Sequence, residues 1–439
     1  MSAVARTRMR WPMVRLGDVA RTSSGGTPKR SVASYYDGDI PWVKSGELGD
    51  RIVYETQEKI SQAALKSSSA KLFPKGTLCV ALYGATVGKL GILGIEAATN
   101  QAVCGIFLPE SIDIRFAYRF LESKRRELVE KGKGGAQPNI SQEIIRDLPF
   151  PLAPVEEQRK VVAEIDKQLT RLDAGVAALR RVQVNLKRYR AAVLKAACEG
   201  RLVPTEAELA RTDKSETKFE TGEVLLARIL SERRQNWQGH GKYKETANLD
   251  TTRLLRLPKG WAWASFDQIT KNFDGRRVPL KSADRDKRPG QYPYYGASGV
   301  IDDIDDFLFD GDFLLIAEDG ANLLSRSTPI AFEATGKFWV NNHAHIVQTR
   351  DKIPLTYLAI FLNGKDLSFS VTGSAQPKLT QAALNRIPVP LPPLTEQARI
   401  VAEVERRLSV GVELEAAVSS NLKRASRLRQ SILKRAFEG

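Results

Sequence analysis

One segment of this chain occurs twice, and the second copy ends at the last residue. Residues 136–200 recur without a gap as residues 375–439, at a constant offset (375 − 136 = 239). A weaker similarity joins residues 11–19 to residues 261–269, and both of these segments begin with tryptophan. The order is therefore unit, helix, unit, helix, which is typical of a pseudo-two-fold molecule made from one polypeptide.

The repeated segment has the apolar spacing of a coiled coil. Apolar residues recur at alternating steps of three and four along it, which indicates a long helix with one apolar seam. Each helix would be about 65 Å long, too long to be stable alone in water, so we expect the two helices to pack on each other. The seam residues are Val162, Ile165, Leu169, Leu172, Leu179, Val401, Val404, Leu408 and Leu422.

The remaining sequence predicts two α+β units. Short apolar runs bounded by Gly, Asp and Asn predict strands, and residues 114–129 and 354–361 predict helices. The expected fold class is α+β, with two mixed units and two long helices packed as an antiparallel coiled coil. We place the first unit at residues 1–150, the first long helix at 151–200, a connector with a short helix at 201–256, the second unit at 257–390 and the second long helix at 391–439.

Charge favours a polyanionic partner. Lys and Arg number 67 and Asp and Glu 51, a formal net charge of +16 at pH 7. Nucleic acid is the commonest partner of such a chain, and a surface that is basic only for solubility is the alternative. No apolar run approaches the ~18–20 residues of a membrane helix, so we expect a cytosolic protein. The cysteines Cys79, Cys104 and Cys198 lie far apart among small or apolar neighbours, which predicts buried thiols.

Several strings that suggest chemistry do not fit it. Residues 84–89 have one residue too few between their glycines for a phosphate loop, and Leu90 replaces the magnesium-binding hydroxyl. Residues 147–150 are a weak match to an amino-methyltransferase motif that the second copy lacks. His343 and His345 alternate along a predicted strand, but no cysteine cluster accompanies them. The acidic run 302–312 lacks a nuclease pattern. We therefore expect neither catalytic residues nor a bound metal.

Polar turns of the two units are the places where specific contacts are expected. Asn can bond both N6 and N7 of adenine, and Lys and Arg supply phosphate contacts. The predicted DNA-contacting residues are Thr27, Lys29, Lys44, Ser45, Thr86, Lys89, Arg276, Arg277, Tyr295, Ser298, Asn322, Asn342 and His343.

Together these features resemble the specificity subunit of type I DNA restriction–modification systems. In the first unit the similar strings are G-G-T-P-K at 25–29, I-P-W-V-K-S-G-E-L at 40–48, A-T-N-Q-A-V at 98–103, and Q-P-N-I-S-Q at 137–142 leading to P-L-A-P-V-E-E-Q at 151–158. In the second unit they are Y-P-Y-Y-G-A-S-G-V-I-D at 292–302, A-E-D-G-A-N-L at 317–323 and V-N-N-H-A-H at 340–345. The resemblance covers essentially the whole chain.

The resemblance implies two target-recognition domains that read a bipartite, asymmetric DNA site across a fixed gap. It also implies partners: two methyltransferase subunits that use S-adenosylmethionine and dock on the seam residues of the coiled coil, and restriction subunits that use ATP and Mg²⁺, with no cofactor on this chain. Three alternatives stay open at this point. They are a single-chain nuclease or methyltransferase, a recognition subunit of a modification-only or other phage-defence complex, and a coiled-coil scaffold.

Overall fold

The computed structural model describes residues 11–132, 139–212, 219–238, 243, 245–246, 249–252, 254–373 and 375–438. The predicted start of the repeat, at residues 136–138, lies outside them. The chain divides into two units: unit 1 is Met1–Arg181 with Ser419–Gly439, and unit 2 is Val182–Val418. Both long helices cross this division, so each contributes one part to each unit.

Unit 1 contains two small sheets and a strand pair. Its strands are β1 (Met13–Arg15), β2 (Arg21–Ser24), β3 (Ile40–Val43), β4 (Arg51–Val53), β5 (Glu58–Ile60), β6 (Leu72–Phe73), β7 (Leu78–Ala81), β8 (Leu90–Leu93), β9 (Ala97–Thr99), β10 (Val103–Phe107) and β11 (Pro149–Pro151). Its helices are α1 (Leu16–Val19), α2 (Gln62–Lys66), α3 (Ile114–Lys131), α4 (Gln142–Arg146) and the first part of α5 (Val155–Cys198). The sheet orders are β2-β10-β7-β8-β4 and β5-β3-β9-β6, and β1 pairs with β11.

Unit 2 has a similar set of elements. Its strands are β12 (Ala262–Ser265), β13 (Thr270–Asn272), β14 (Pro289–Gly296), β15 (Gly299–Ile304), β16 (Phe309–Asp310), β17 (Phe313–Ala317), β18 (Ala331–Ala334), β19 (Lys337–Val340), β20 (Ala344–Thr349) and β21 (Pro388–Leu391). Its helices are α6 (Glu206–Thr212), α7 (Gly222–Gln235), α8 (Phe266–Ile269), α9 (Ser282–Arg285), α10 (Asn322–Ser325), α11 (Leu355–Gly364), α12 (Gln381–Asn385) and the first part of α13 (Leu394–Glu438). The sheet orders are β13-β20-β17-β18 and β15-β14-β19-β16, and β12 pairs with β21.

Apart from β4, which adds a fifth strand to the first sheet of unit 1, the described strands of the two units share one topology, although their sequences differ between the repeats. The order β2-β10-β7-β8 corresponds to β13-β20-β17-β18, and β5-β3-β9-β6 corresponds to β15-β14-β19-β16. In both units the second sheet has a parallel central pair, β3 with β9 and β14 with β19. The predicted α+β class is therefore confirmed, and the duplication extends beyond the segments in which the sequence reveals it.

The long helices pack in opposite directions within each unit. In unit 1 the early α5 residues Val162, Ile165 and Leu169 are buried with Leu433 and Phe437 of late α13. In unit 2 the late α5 residues bury against early α13 instead. The contributing residues there are Val193, Leu194, Ala197, Ile400 and Val404. The antiparallel seam is thus confirmed, while Leu172, Leu179, Val401, Leu408 and Leu422 are only half-buried.

The prediction of buried thiols is confirmed for two of the three cysteines, while the third is only half-buried. Cys79 and Cys104 are buried in adjacent strands, and Cys198 is half-buried at the end of α5. Burial raises the pKa of the Cys104 thiol to about 12, so this thiol is not a nucleophile near neutral pH. Among the described residues, no helix combines the length and the apolar character needed to cross a bilayer.

The glutamine of the repeated Pro-x-x-Glu-Gln string joins α5 to the body of unit 1. Gln158 is fully buried, and its amide donates to the carbonyls of Ala153 at 2.7 Å and Ser111 at 3.0 Å. Its Oε1 accepts from the backbone N–H of Asp113 at 2.8 Å. Asp113 also caps α3, so one buried side chain fixes the start of two helices.

Among the described residues, the equivalent glutamine in unit 2 lacks two of these three bonds. Gln397 is also fully buried and donates to the carbonyl of Pro392 at 2.8 Å, but its Oε1 has no donor among the described residues. The reason is local, because Pro354 precedes α11 where Asp113 precedes α3, and proline has no N–H.

Replacing Pro354 by aspartate is expected to stabilise unit 2 by about 1 kcal/mol. The new N–H would satisfy Gln397 Oε1 and the new carboxylate would cap α11, which together outweigh the lost rigidity of proline. Urea unfolding of the Pro354→Asp and Pro354→Ala variants measures the two contributions, since alanine restores the N–H without the cap. Equal or lower stability of both variants would contradict this account of the missing bond.

Candidate nucleic-acid interface

Four turns of unit 2 meet at one end of its sheets. They are residues 296–299, 318–322, 341–343 and 376–379, and we call this surface the loop end of unit 2. The N–H of Glu318 donates to the carbonyl of His343 at 2.9 Å, and the N–H of Leu379 donates to the carbonyl of Glu318 at 2.8 Å. The N–H of Asn341 donates to the carbonyl of Tyr295 at 3.1 Å. Backbone bonds therefore fix the turns against one another.

Unit 1 repeats these bonds at its own loop end, which consists of residues 44–47, 83–86, 99–102 and 139–142. The N–H of Leu82 donates to Ala102 at 2.8 Å, and the N–H of Ile140 donates to Leu82 at 2.9 Å. The N–H of Asn100 donates to the carbonyl of Val43 at 3.0 Å. One backbone frame thus occurs in both units.

The side chains on this shared frame differ at almost every matched position. Matched backbone bonds and matched isolated bridges define the equivalence. The pairs of positions, unit 1 first, are Val43 and Tyr295, Leu82 and Glu318, Ala102 and His343, Tyr83 and Asp319, and Asn139 and Lys378. The two loop ends are alike in backbone and unlike in chemistry.

A cluster of charges lies beneath the loop end of unit 2. Asp274 contacts Nδ1 of His345 at 2.6 Å, and Glu318 accepts from Nη1 of Arg277 at 2.7 Å and pairs with Lys378 at 3.2 Å. Burial opposes ionisation of Asp274, yet the bond from His345 holds the pKa of this carboxyl below its ordinary value. The pKa of Glu318 is likewise lowered, against burial, by the bond from Arg277. We call these five residues the charged cluster.

The charged cluster contains a group that could in principle hold a metal ion. Asp274, Glu318 and His345 have ligand atoms within 4.8 Å of one another. However, Nε2 of His345 lies 2.7 Å from the carbonyl of Leu379, so both ring nitrogens face acceptors. A ring that donates from both nitrogens has no lone pair for a metal. These side chains therefore fit a network of ion pairs within the protein. The expected absence of a bound metal stays a prediction.

The glycine pair at the start of unit 1 lies against the loop end. The N–H of Gly26 donates to the carbonyl of Thr99 at 2.9 Å, and the indole of Trp42 donates to the carbonyl of Gly26 at 3.1 Å. A Cβ at Gly25 would lie 2.1 Å from the Thr99 carbonyl oxygen, so only glycine fits there. This approach brings Thr27 beside the loop end.

The predicted DNA contacts of unit 1 differ in how accessible they are. Three of them make hydrogen bonds within the protein. These bonds join Thr27 to Gln101, Lys44 to Glu58 (2.7 Å) and Thr86 to the carbonyl of Tyr83 (2.9 Å). Lys29 is exposed, and Ser45 and Lys89 are half-buried. DNA contact by each of the six stays a prediction, with Lys29 the most accessible.

Two predicted contacts of unit 2 are instead used by its core. The Tyr295 ring packs on Phe332 and Phe338, with centroids 6.0 and 5.5 Å apart. Arg277 is a member of the charged cluster, and its side chain is only 13% exposed. These two residues therefore support the loop end from below, and the sequence did not distinguish this role from DNA contact.

The other predicted residues of unit 2 lie at its surface. Asn322 holds its own turn, because its amide bonds the backbone of Thr328 and the hydroxyl of Ser327. Ser298 and Asn342 are exposed. Arg276, also exposed, lies over the Phe309 ring at 5.0 Å, and His343 is half-exposed and pairs with Asp319. Base contact by these residues stays a prediction.

The predicted docking residues of the coiled coil need a correction. Val162, Ile165 and Leu169 are 2–3% exposed within unit 1, so they mainly hold the unit together, although Ile165, like the half-buried Leu172, also lines a groove. An open groove of about 880 Å³ runs beside them between α5 and α13. Its apolar lining includes Val161, Leu172, Leu428, Ile432 and Ala436.

Sequence reasoning missed the charged cluster and the Asp319–His343 pair. Their partners are far apart in sequence, 71 residues for Asp274 and His345 and 24 for Asp319 and His343. The only signal available was the position of the acidic residues in turns that follow or precede strands. That signal locates a surface and does not say which side chains meet.

Comparison with known proteins identifies a family. The family model described as the type I restriction modification DNA specificity domain matches residues 9–180 and 258–424. A specificity subunit of a type I restriction enzyme from Haemophilus influenzae is 37% identical over 139 residues, which is 32% of this chain and 35% of that protein. The EcoDI specificity subunit of Escherichia coli is 24% identical over 437 residues, 98% of this chain and 88% of that protein. A solved chain from a type I R-M system covers 97% of each chain with a TM-score of 0.66 and 18% identity, which shows a shared fold.

Proposed function

We propose, from the premise that this chain belongs to the type I restriction–modification DNA specificity family, that its two units read the two unlike halves of one split DNA site. The observation that carries the proposal is the pair of loop ends. One backbone frame presents different side chains in the two units, as Tyr83 and Asn139 in one and Asp319 and Lys378 in the other. Equal frames with unequal side chains suit two related but different base sequences.

Charge supplies the sequence-independent part of this binding. A net charge of +16 favours association with the phosphate backbone, and each neutralised phosphate releases counterions. Exposed basic residues such as Lys29 and Arg276 would position the duplex, while exposed polar side chains of the loop ends would contact base edges. Affinity should therefore fall steeply with salt concentration, whereas the preferred sequence should not change.

Catalysis belongs to partner subunits in this proposal. Two methyltransferase subunits would carry S-adenosylmethionine, and two restriction subunits would carry ATP and Mg²⁺. The charged cluster supports this division, because its acids are paired with its bases and all of its members except Lys378 lie beneath the surface. The chain itself would select the site and hold the enzymes beside it.

The groove of unit 1 is the surface we assign to partner docking. In unit 2 the equivalent face is covered by the chain's own α6, where Glu206 bonds Arg399 at 2.5 Å and Thr395 at 2.6 Å. Ile400 there is fully buried, whereas the matching Val161 of unit 1 is half-buried. A helix of a methyltransferase subunit with an acidic side chain near Lys160 would cover the groove as α6 covers its counterpart.

Replacing Leu428 by glutamate is expected to weaken docking of the methyltransferase subunit at least tenfold and to leave unit 1 folded. Leu428 is 48% exposed and lines the groove, so a carboxylate there would be desolvated by a partner and not by the chain itself. Titration with purified methyltransferase subunit measures the change. Val410→Glu is the matched control, since Val410 lies on the same helix, is 52% exposed and does not line the groove. Equal affinities of the two variants would remove the groove from the interface.

Methylome sequencing tests the function itself. A methylation-free bacterial host would express the adjacent modification subunit with and without this chain. Methylation at one split, asymmetric motif that requires the chain is the expected result. An assembled complex without new methylation would contradict the proposal and favour a defence role without methylation. Adding the restriction subunit then separates a full restriction system from a modification-only complex.

A further inference from the structure

One histidine of the unit 2 loop end is fixed at every polar atom except one. The backbone N–H of His343 donates to Oδ1 of Asn341 at 2.8 Å, and Asn341 is itself buried. Its Nδ1 lies 2.8 and 3.0 Å from the two carboxylate oxygens of Asp319. Nε2 has no hydrogen-bond partner within the described part of the chain, and the side chain is 49% exposed. The ring is therefore held, with Nε2 as its remaining polar atom.

Asp319 determines the chemistry of that remaining atom. An ionised carboxylate only accepts hydrogen bonds, so Nδ1 must carry the proton that it donates. In the neutral ring the lone pair then lies on Nε2, which becomes an acceptor. Asp319 is itself held from behind, because its backbone forms a bridge with Lys378 and the next N–H, of Gly320, donates to Pro377 at 3.0 Å.

Unit 1 has no such pair at the matched positions. Tyr83 and Ala102 stand there in place of Asp319 and His343. The pair is thus a difference between two otherwise equivalent loop ends, which is where a difference in the two half-sites must originate. The two side chains are also held in place before any ligand binds, so little conformational entropy is lost on binding.

We infer that Nε2 of His343 accepts a hydrogen bond from the exocyclic amine of one adenine or cytosine in the half-site of unit 2, and that Asp319 is the positioning residue that sets its tautomer. This assignment rests on the proposed DNA recognition. In the major groove adenine N6 and cytosine N4 are the amine donors, whereas guanine and thymine present acceptors at the corresponding edge. An acceptor fixed on Nε2 therefore favours adenine and cytosine and disfavours guanine and thymine.

The first part of the test compares methylomes. The wild-type complex is required to give a split motif, and without one the proposed function fails before this assignment is examined. His343→Ala and Asp319→Ala are then expected to relax the same single base pair of one half-site. Asp319→Asn places an amide NH₂ beside Nδ1 that can donate to it and move the ring proton to Nε2, so this variant is also expected to lose discrimination at that base pair. Glu333→Ala, which removes an exposed carboxylate from β18, is the matched control and is expected to leave the motif unchanged.

The second part identifies the amine. Duplexes in which adenine is replaced by purine, or cytosine by 2-pyrimidinone, lack the exocyclic amine at the relaxed position. One of these should lower the affinity of the wild-type complex about tenfold, the size expected for one hydrogen bond, and should not affect His343→Ala. Thermal unfolding of each variant checks that the fold is retained.

Three outcomes would overturn the assignment. The first is a motif that neither alanine variant changes. The second is an equal loss for wild type and His343→Ala when the amine is removed, because the ring and the amine would then act independently. The third is a coupling to guanine N7, measured with 7-deazaguanine, because Nε2 would then be a donor.

Discussion

Replacing His345 by alanine is expected to lower the free energy of unfolding of unit 2 by about 3–5 kcal/mol. His345 is 1% exposed and Asp274 is 8% exposed, so the substitution removes the closest cationic partner of a buried carboxylate and leaves it the Arg277 guanidinium at 3.5 Å and the N–H of Ile346. It also removes the donor to the Leu379 carbonyl, which ties the 376–379 turn to the sheet. Urea unfolding monitored by tryptophan fluorescence measures the loss.

His343→Ala is the control for this substitution. It removes the same side chain two residues away, at a site that is 49% exposed, and is expected to change stability by no more than about 0.5 kcal/mol. Equal losses for the two variants would mean that the charged cluster does not stabilise unit 2 as its geometry indicates.

Lowering the pH should reduce the stabilisation that the charged cluster gives to unit 2. The pKa values of Asp274 and Glu318 are below their ordinary values in the folded chain. Their contribution to the free energy of unfolding is therefore complete above about pH 4, where the carboxyls of the unfolded chain are ionised. It is lost as the pH falls through the lower pKa values that these carboxyls have in the folded chain. The His345→Ala variant should show a smaller change over the same range, because its Asp274 has already lost the bond from the imidazole.

Replacing Leu169 by aspartate is expected to cost unit 1 at least about 4–5 kcal/mol and to abolish partner docking and DNA binding together. Leu169 is 3% exposed in the core that α5 shares with α13, so the carboxylate would be buried without a partner. Thermal unfolding and co-purification with the methyltransferase subunit measure the two effects.

Ala174→Asp supplies the matched charge on the same helix at an exposed position, and is expected to cost less than about 1 kcal/mol. A Leu169→Asp chain that folds and directs methylation normally would show that the described packing of α5 in unit 1 is wrong. Leu428→Glu differs from both, since it should affect docking alone.

The repeat predicted the long helices because their pattern is local and occurs twice. The apolar runs at 78–83, 102–108 and 313–317, each bounded by turn residues, also predicted strands, and the structure has strands at Leu78–Ala81, Val103–Phe107 and Phe313–Ala317. The parallel pairs β3 with β9 and β14 with β19 could not be predicted, because pairing over such sequence distances depends on the whole sheet. Leu433 and Phe437 were missed because they lie outside the predicted seam positions, and Phe437 also packs on Phe116 and Phe120 of α3.

The candidate site was predicted as a set of turns and not as a set of contacts. Asn342 and His343 were identified as polar residues beside an apolar run. The prediction that His343 shares a strand face with His345 was wrong, because His343 lies in the exposed turn before β20 while His345 is buried within that strand. Tyr295 and Arg277 were assigned to DNA because the sequence shows residue type and not burial. The role of Asp319 depends on a ring 24 residues away, and only the fold brings the two together.

Unit 1 is built from two separate segments of the chain, and this has a consequence for protein synthesis. Its core needs residues 419–439, so it cannot be completed when Arg181 leaves the ribosome. At roughly 5–20 residues per second the remaining chain takes about 10–50 s to be made. Unit 2, which is continuous in sequence, can fold during that time. The half of the protein that is synthesised first therefore completes its fold last. The apolar seam side chains of early α5 stay without their packing partners until the end of α13 has been synthesised.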